Sequence, residues 1–317
     1  MRQYVARRLL FGLIVIWGVS VMIFFLMRFL PGEAVYMVLG EDVSADPKLV
    51  AAVKARLGLD KPVHEQYLVW ISGVLRGDMG KSLQTDEPVV QQILARLPVT
   101  LELGVLSTIL GIVIAIPIGV ISALRQDTRI DYVLRVSCII LLAMPAFWVG
   151  TMLLVFPSIW FKWVPPLGYT EFFQDPKVNL TQLAFPVFVL ATHFSTAIMR
   201  LTRSSLLEVL RQDYIRTAWS KGLRESVVVA RHALKNAMIP VVTVIGLHMG
   251  RLVGGTVLLE SIFSLPGVGR LFLESVIVRD YTQVQAIVLL FALVFTIANI
   301  LVDITYGWLD PRIKLSR

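Results

Sequence analysis

Residues 211–240 read RQDYIRTAWSKGLRESVVVARHALKNAMIP, a polar stretch between two apolar runs that are long enough to cross a membrane. Apart from Asp213 and Glu225, its charged residues are basic: Arg211, Arg216, Lys221, Arg224, Arg231 and Lys235. Apolar residues recur between these charges at roughly helical spacing, and Gly222 interrupts the pattern. The stretch is therefore predicted to form a helix, a glycine turn and a second amphipathic helix. A long basic loop between two spans is predicted to be cytoplasmic, where it would meet a soluble partner.

The composition is typical of a membrane protein. Of the 317 residues, 56% are hydrophobic and 16% are charged, and the mean hydropathy is +0.74. The net charge of +8 is compatible with nucleic-acid binding, but the basic residues cluster beside apolar runs, which is the pattern that orients a membrane protein. No nucleic-acid partner is therefore expected. The single cysteine, Cys138, lies in an apolar run and can form no intrachain disulfide.

Six apolar runs are predicted to cross the membrane. They cover residues 9–27, 103–124, 136–161, 183–199, 237–259 and 284–302. Pro145 and Pro157 are expected to kink the third run. Basic residues concentrate at the N-terminus, around 125–135, around 200–235 and in the tail, which all fall on one side of this topology. The sequence therefore predicts cytoplasmic N- and C-termini.

The longest polar segment, residues 31–98, has nearly balanced charge and is predicted to lie outside the membrane. Two short amphipathic helices are predicted in it, at 46–58 and 62–77, with apolar faces that pack on the membrane part. The predicted organisation is an N-terminus with the first span (1–30), this external region (31–98) and a core (99–317) that contains the basic loop 200–236. The later outer loop, 260–283, is rich in apolar residues and glycine and is expected to dip back against the bundle.

Polar side chains inside spans usually face a cavity or a partner, because an ionisable group in lipid costs a few kcal/mol. His193, His248 and Arg251 are candidates for a translocation path, in which Arg251 would meet a substrate carboxylate. His248 and Arg251 are three residues apart and share a helix face, but they could equally bond to carbonyls or to another subunit. His193 could also be a hydrogen-bonded core histidine. For Asn299 and Asp303, a structural role is the favoured interpretation.

The sequence contains no motif for catalysis or nucleotide binding. It has no GxxxxGK[ST] phosphate loop, no HExxH and no GxSxG. No catalytic residue, metal site or cofactor is therefore expected on this chain. Two rival classes remain open. An ion-coupled secondary transporter acting alone would use buried carboxylates, of which Asp303 is the one plausible case. A membrane-embedded enzyme would need paired aspartates, Ser-His or zinc ligands within spans.

Several stretches resemble the permease subunits of bacterial ATP-binding-cassette importers, in the dipeptide/oligopeptide branch. The cytoplasmic loop of that branch looks like DYIRTA-x-x-KGL … HALKNAMIP, which residues 213–240 match. In the general importer pattern, Glu-Ala-Ala precedes a glycine; here Arg216, Thr217 and Ala218 fill the three places and Gly222 is the glycine. Further likeness lies in MRFLPGE (27–33), 58–82, LPGVGR (265–270) and DPRIK (310–314). An ordinary solvated amphipathic loop would share the periodicity but not this extended motif.

This resemblance implies an all-α integral membrane protein with six transmembrane helices and the type I importer permease fold, in the bacterial inner membrane. It implies a heterodimer with a second homologous permease, two cytoplasmic ATPase subunits that carry ATP and Mg, and an external solute-binding protein. The residues that it places at the ATPase are Asp213, Tyr214, Arg216, Thr217, Ala218, Lys221, Gly222, Leu223 and Arg224. Those that it places in an external gate are Leu265, Pro266, Gly267 and Gly269. The branch carries dipeptides, oligopeptides, glutathione, nickel chelates, opines or oligosaccharides, so a peptide or related small solute is expected.

Overall fold

A computed structural model describes residues 2–29, 47–56 and 59–309 of the chain. This part of the protein is built from helices, and no strand occurs within it. The helices are α1 (Arg2–Phe29), α2 (Pro47–Arg56), α3 (Val63–Leu75), α4 (Val89–Leu124), α5 (Arg129–Ala143), α6 (Ala146–Phe161), α7 (Pro176–Leu210), α8 (Asp213–Ser220), α9 (Glu225–Val227), α10 (Leu234–Gly255), α11 (Val257–Ile262), α12 (Val268–Ile277) and α13 (Tyr281–Leu309). A π-helical segment, Val228–Ala233, joins α9 to α10.

The centre of the bundle is a close contact between α4 and α7. A Cβ added to Gly111 of α4 would lie 2.6 Å from the Phe194 ring, and one added to Gly119 would lie 2.7 Å from Thr202 Cβ. Glycine at these two positions lets the two backbones approach closely, as small residues do between membrane helices. Because position 111 meets 194 and position 119 meets 202, the two helices run parallel.

The segment between these parallel helices must return the chain to the side from which it started. It does so through α5 and α6, which meet at an angle of 94°. The break falls at Met144 and Pro145, where proline removes a backbone donor and disfavours a helical conformation of the preceding residue. Within residues 2–29, 47–56 and 59–309, five other helical segments are long and apolar enough to cross a membrane. With the bent pair as one crossing, the prediction of six spans is confirmed, as is the kink at Pro145; Pro157 lies within α6.

Helix ends are set by local chemistry outside the apolar runs, so several helices exceed their predicted spans. α4 begins at Val89 rather than at residue 103 and continues through Pro98. α7 begins at Pro176, where the Asp175 side chain accepts hydrogen bonds from the N–H groups of Lys177 and Val178. The border at residue 98, where the external region was predicted to give way to the core, thus lies inside one continuous helix.

Of the elements expected to pack against the bundle from outside, α3 and the outer loop do so. α2 and α3 are the two short helices predicted before α4, and α3 lies against α1 through Tyr67 and Trp70. The predicted outer loop folds into α11 and α12, which bury Leu265, Val268 and Leu271 against the bundle. These contacts cover the end at which α4 and α7 begin. We call the other end, where both helices finish, the basic end.

A buried ion pair joins three elements at the basic end. The side chain of Asp131 in α5 is fully buried, and Arg203 of α7 donates to its two carboxylate oxygens at 2.9 and 2.8 Å. The Ser122 hydroxyl of α4 donates to the same carboxylate at 2.5 Å, and the Asp127 N–H donates at 3.1 Å. Two parallel hydrogen bonds from one guanidinium combine charge with a fixed orientation. The pair therefore holds the ends of α4 and α7 to the start of α5.

We expect Asp131→Asn to lower the stability of the protein substantially. The change leaves the Arg203 guanidinium, whose side chain is 17% exposed, without its anion, at a cost of about 3 kcal/mol. The apparent melting temperature of the purified protein in one fixed lipid–detergent mixture measures the effect. Asp86→Asn is the matched control, because the Asp86 side chain is 75% exposed and 3.8 Å from Lys81. Equal melting temperatures for the two variants would contradict the assignment.

Candidate functional site

Helix α8 is seated on the basic end by two residues of its inner face. Ile215 is fully buried and Ala218 is nearly so, whereas the other residues of α8 are exposed. Both join a cluster with Leu206 near the end of α7 and Ala123 near the end of α4. The short helix is therefore packed directly on the two central helices.

A glycine turn follows α8, as predicted. Gly222 has φ +74°, in the left-handed region, and an added Cβ would meet no atom within 4 Å. Its requirement for glycine is thus conformational rather than steric. The Gly222 N–H donates to Trp219 O at 2.9 Å and the Lys221 N–H donates to Thr217 O at 3.1 Å, which closes the end of α8. The predicted helix, turn and second helix are confirmed.

The outer face of this segment combines basic and aromatic side chains. Tyr214 is 45% exposed, Trp219 44% and Leu223 39%. Arg216 is exposed, and its one ion pair, to Asp213 at 3.5 Å, joins side chains that are 72% and 96% exposed. An ion pair that is exposed to water contributes little to stability, so both charged side chains are available to bind a partner protein. Exposed aromatic residues beside arginine are typical of protein–protein contact surfaces.

Every residue expected at the ATPase lies on this segment, and of these only Ala218, on the inner face of α8, is buried. The Thr217 hydroxyl is exposed and donates to Asp213 O of its own helix at 3.0 Å. Tyr214 is held at its hydroxyl, which accepts from Asn236 Nδ2 of α10 at 2.8 Å. The exposed predicted residues form one surface, which we call the coupling surface; they are Asp213, Tyr214, Arg216, Thr217, Lys221, Gly222, Leu223 and Arg224.

The helix after the coupling surface is not a regular α-helix, which the sequence did not indicate. Between Val228 and Ala233 the backbone is π-helical, and Val228, Val229 and Ala233 are buried. A π segment places one extra residue in the turn and is frequent at functional sites. No proline or glycine lies within it, and Val228 and Ala233 pack in the same cluster as Ile215 and Ala218 of α8.

The histidines proposed for the translocation path have partners within the protein. His193 Nε2 lies 2.8 Å from the carbonyl oxygen of Met144, the residue at the break between α5 and α6. The His248 ring meets the Phe194 ring edge to face at 4.9 Å. Arg251 and Asp303 lie in α10 and α13, but their side chains are outside the described part of the structure. Within that part, no group of three or more His, Cys, Asp or Glu side chains is placed to hold a metal ion.

The LPGVGR stretch is held by a buried carboxylate that sequence reasoning missed. Glu260 Oε2 accepts from the Arg270 N–H at 2.9 Å, in the first turn of α12, and Glu260 Oε1 accepts from the Thr100 hydroxyl of α4 at 2.9 Å. Thr100 Oγ1 in turn accepts from the Val268 N–H at 2.8 Å. Burial raises the pKa of Glu260, although the hydrogen bonds from Arg270, Gly269, Thr100 and Thr256 favour its charged form. A carboxylate at a helix N-terminus is also stabilised by the helix dipole.

Close contacts with α11 explain the two glycines of the stretch. A Cβ on Gly267 would overlap Glu260 Oε2, and a Cβ on Gly269 would lie 2.7 Å from Val257 Cα and 2.8 Å from Glu260 Oε2. Of the residues proposed for an external gate, Leu265, Gly267 and Gly269 are therefore buried, whereas Pro266 is exposed. The sequence signal was a lone glutamate in the apolar run VLLESIF, residues 257–263.

Family comparisons agree with this architecture. The sequence model described as a binding-protein-dependent transport system inner membrane component matches residues 115–315, and the model for the N-terminal part of such components matches residues 1–104. The oligopeptide transport system permease protein AppB of Bacillus subtilis is 38% identical over 323 residues, covering 99% of this chain and 100% of AppB. The dipeptide transport system permease protein DppB of Escherichia coli K12 is 39% identical over 339 residues, covering 99% of each chain.

Two solved structures share the fold. A chain of the MetNI methionine ABC transporter, in an inward-facing conformation, superposes with a TM-score of 0.59 at 16% identity, covering 71% of this chain and 99% of that one. A chain of an amino acid ABC transporter, crystallised with histidines, gives 0.52 at 15% identity, covering 69% and 94%. This protein belongs to the family of binding-protein-dependent transport system inner membrane components, and it is a transmembrane permease subunit of an ATP-binding-cassette importer with the type I fold.

Proposed function

We propose that this chain pairs with a second, homologous permease subunit to form the path by which a peptide or related small solute crosses the bacterial inner membrane. An external binding protein delivers the solute, and two cytoplasmic ATPase subunits with bound ATP and Mg drive the cycle. The peptide class is supported by the names of the relatives, which are oligopeptide and dipeptide permeases. The relatives give no support to an ion-coupled transporter that acts alone.

The observation that carries this proposal is the coupling surface. It exposes aromatic and basic side chains on an ordered helix, yet Ile215 and Ala218 fix that helix to α4 and α7. An ATPase that binds here can move both central helices, because a packed contact transmits displacement rather than absorbing it. The residues proposed to contact the ATPase are Asp213, Tyr214, Arg216, Thr217, Lys221, Gly222, Leu223 and Arg224, with Ala218 supporting them from beneath.

We place the basic end, and with it both termini, in the cytoplasm. The support is the distribution of arginine and lysine, which accumulate near the start of α1, between α4 and α5, and from the end of α7 to α10. α12 and the start of α13 then face the external binding protein.

For the path we propose the region around the break between α5 and α6. Interrupted membrane helices commonly line transport sites, because their free backbone groups need a polar or aqueous neighbour. His193 is hydrogen bonded to that break, and the His248 ring contacts Phe194, the residue next to His193 in α7. Arg251, one turn further along α10, is proposed on the same path. The proposed external gate moves with α4, because Thr100 of α4 is hydrogen bonded to Glu260 and to the Val268 N–H. The gate residues are Leu265, Pro266, Gly267 and Gly269.

Gly222→Asp is expected to abolish peptide-dependent growth and the recovery of ATPase subunits with this chain. Asparagine and aspartate both tolerate a left-handed backbone, so Gly222→Asn is a control with nearly the same shape and no charge. The introduced carboxylate pairs with nearby Lys221 and Arg224 and removes them from the partner. A mild-detergent pull-down from the native membrane, with the co-purifying proteins identified by mass, measures the loss.

Gly222→Asn should retain most of the recovery, and both variants should insert into the membrane at the wild-type level. Wild-type recovery of ATPases with Gly222→Asp would contradict the coupling role. Recovery of the wild-type chain without a second permease or ATPases would contradict the proposed assembly as a whole.

Gly267→Ala is expected to reduce transport and lower the melting temperature of the complex. The new methyl group displaces the Glu260 carboxylate from the N-terminus of α12, and such overpacking costs about 1–3 kcal/mol. Gly18→Ala is the matched control, because a Cβ at that position in α1 meets nothing within 4 Å. Uptake of a labelled peptide and a thermal melt are measured on both. If the two variants have the same peptide uptake and the same melting temperature, Glu260 does not hold the LPGVGR stretch in place.

A further inference from the structure

We propose that α3 lies in the bilayer interface, and that its edge of Leu68, Ile71 and Leu75 binds the acyl chains of lipid. Helix α3 precedes α4 and belongs to the region that would otherwise be assigned entirely to water. Three observations support this placement: the depth at which α3 meets α1, the arrangement of its outward face, and the apolar surface of α1 beside it.

The contacts of α3 with α1 fix its depth. The Tyr67 hydroxyl lies 2.9 Å from Ser20 Oγ, the Tyr67 and Trp70 rings lie 5.4 and 5.6 Å from the Phe24 ring, and Arg28 Nε donates to Gln66 Oε1 at 2.9 Å. The candidate span containing these α1 residues ends at Phe29. At about 1.5 Å per residue, Arg28, Phe24 and Ser20 lie roughly 1.5, 7.5 and 13.5 Å inside that end. Interfacial helices bury their apolar face to about 5–10 Å, which is the middle of the range over which α3 contacts α1.

The outward face of α3 is divided lengthwise. Leu68, Ile71 and Leu75 are spaced i, i+3 and i+7 and share one edge, on which Leu68 is 60% and Leu75 is 82% exposed; the exposed His64 lies at the N-terminal end of this edge. The neighbouring edge carries one exposed apolar residue, Val69, which is 62% exposed, among exposed polar residues, which are Glu65, Ser72 and Arg76. A helix in water gains nothing from exposing leucines beside such a polar edge. At an interface, one edge enters the acyl region while the other meets headgroups.

The surface of α1 supports lipid as the occupant of this edge. Along the same half of α1, Trp17, Met22 and Leu26 are 62%, 63% and 51% exposed, within a helix apolar enough to cross the membrane. Lipid must cover these side chains wherever no protein does, since exposed apolar surface of this extent is costly in water. Trp17 lies three residues before Ser20 and seven before Phe24, so this exposed side chain is on the same face of α1 that contacts α3, deeper in the membrane. Tyr67 and Trp70 are also consistent with a position at the membrane–water interface, where aromatic side chains with one polar atom are enriched.

Single cysteines in the assembled complex test the placement. In a Cys138→Ala background, Leu68→Cys and Leu75→Cys are labelled with an environment-sensitive fluorophore and reconstituted into vesicles whose phospholipids carry bromine on the acyl chains. Glu65→Cys, on the polar edge of the same helix, and Asp86→Cys, on an exposed turn, are the controls. We expect a loss of roughly half of the emission at positions 68 and 75, a smaller loss at 65, and none at 86, in line with interfacial burial.

Two results would overturn the proposal. Emission at positions 68 and 75 that matches position 86 would show that this edge faces water. Quenching in the isolated chain that disappears in the assembled complex would show that a partner subunit covers the edge instead. The labelling experiment reports the position of α3 and not transport, so neither result bears on the proposed role of the coupling surface. Likewise, failure to recover ATPase subunits in the pull-down would not affect the conclusion about α3.

Discussion

The close parallel contact between α4 and α7 is the constraint on which the rest of this structure depends. Gly111 and Gly119 bring the two backbones together, and the buried clusters follow the pair from one end to the other. Without a hydrophobic driving force inside lipid, helices associate through such close packing and through hydrogen bonds. Two parallel neighbours in turn require a return crossing between them, so the bent pair α5–α6 follows from this contact.

Each end of the central pair carries a buried carboxylate with partners distant in the sequence. At the basic end, Asp131 binds Arg203 and Ser122; at the opposite end, Glu260 binds Thr100 and the first turn of α12. A buried charge is tolerated only when it is paired or hydrogen bonded, so these groups can separate only at considerable cost. Both networks include α4. α4 is therefore one continuous helix that connects the cluster beneath α8 at one end to the LPGVGR stretch at the other.

The break between α5 and α6 is a natural place for such a bundle to change shape. The backbone there is already interrupted, and the carbonyl of Met144 is held by the side chain of His193 rather than by a regular helical turn. One side chain, on the central helix α7, thus connects the interruption to the helices that the coupling surface supports. This arrangement gives the half-buried histidine a positioning role whether or not a solute touches it.

Much of the candidate site was predictable because its structure is local. The helix, the turn at Gly222 and the basic charge of residues 211–224 follow from spacing over a few residues, and the apolar runs reveal the spans for the same reason. The sequence did not reveal how far α4 extends beyond its apolar part, because a helix outside the membrane needs no hydropathy signal. Nor did it reveal the π segment after Val227, which packs in the cluster beneath α8.

The sequence by itself determined that this is a polytopic membrane protein with a structured basic loop, since hydrophobic length and charge asymmetry are properties of single segments. Only the tertiary structure decided the partners of the buried polar groups. Thr100, Glu260 and Val268 are far apart in the sequence but are hydrogen bonded in the structure. Nothing in the sequences VLLESIF or LPGVGR indicates that the carboxylate of Glu260 packs against Gly267 and Gly269. Spacing along a helix specifies a face, but the residue that a face meets depends on how all the helices pack.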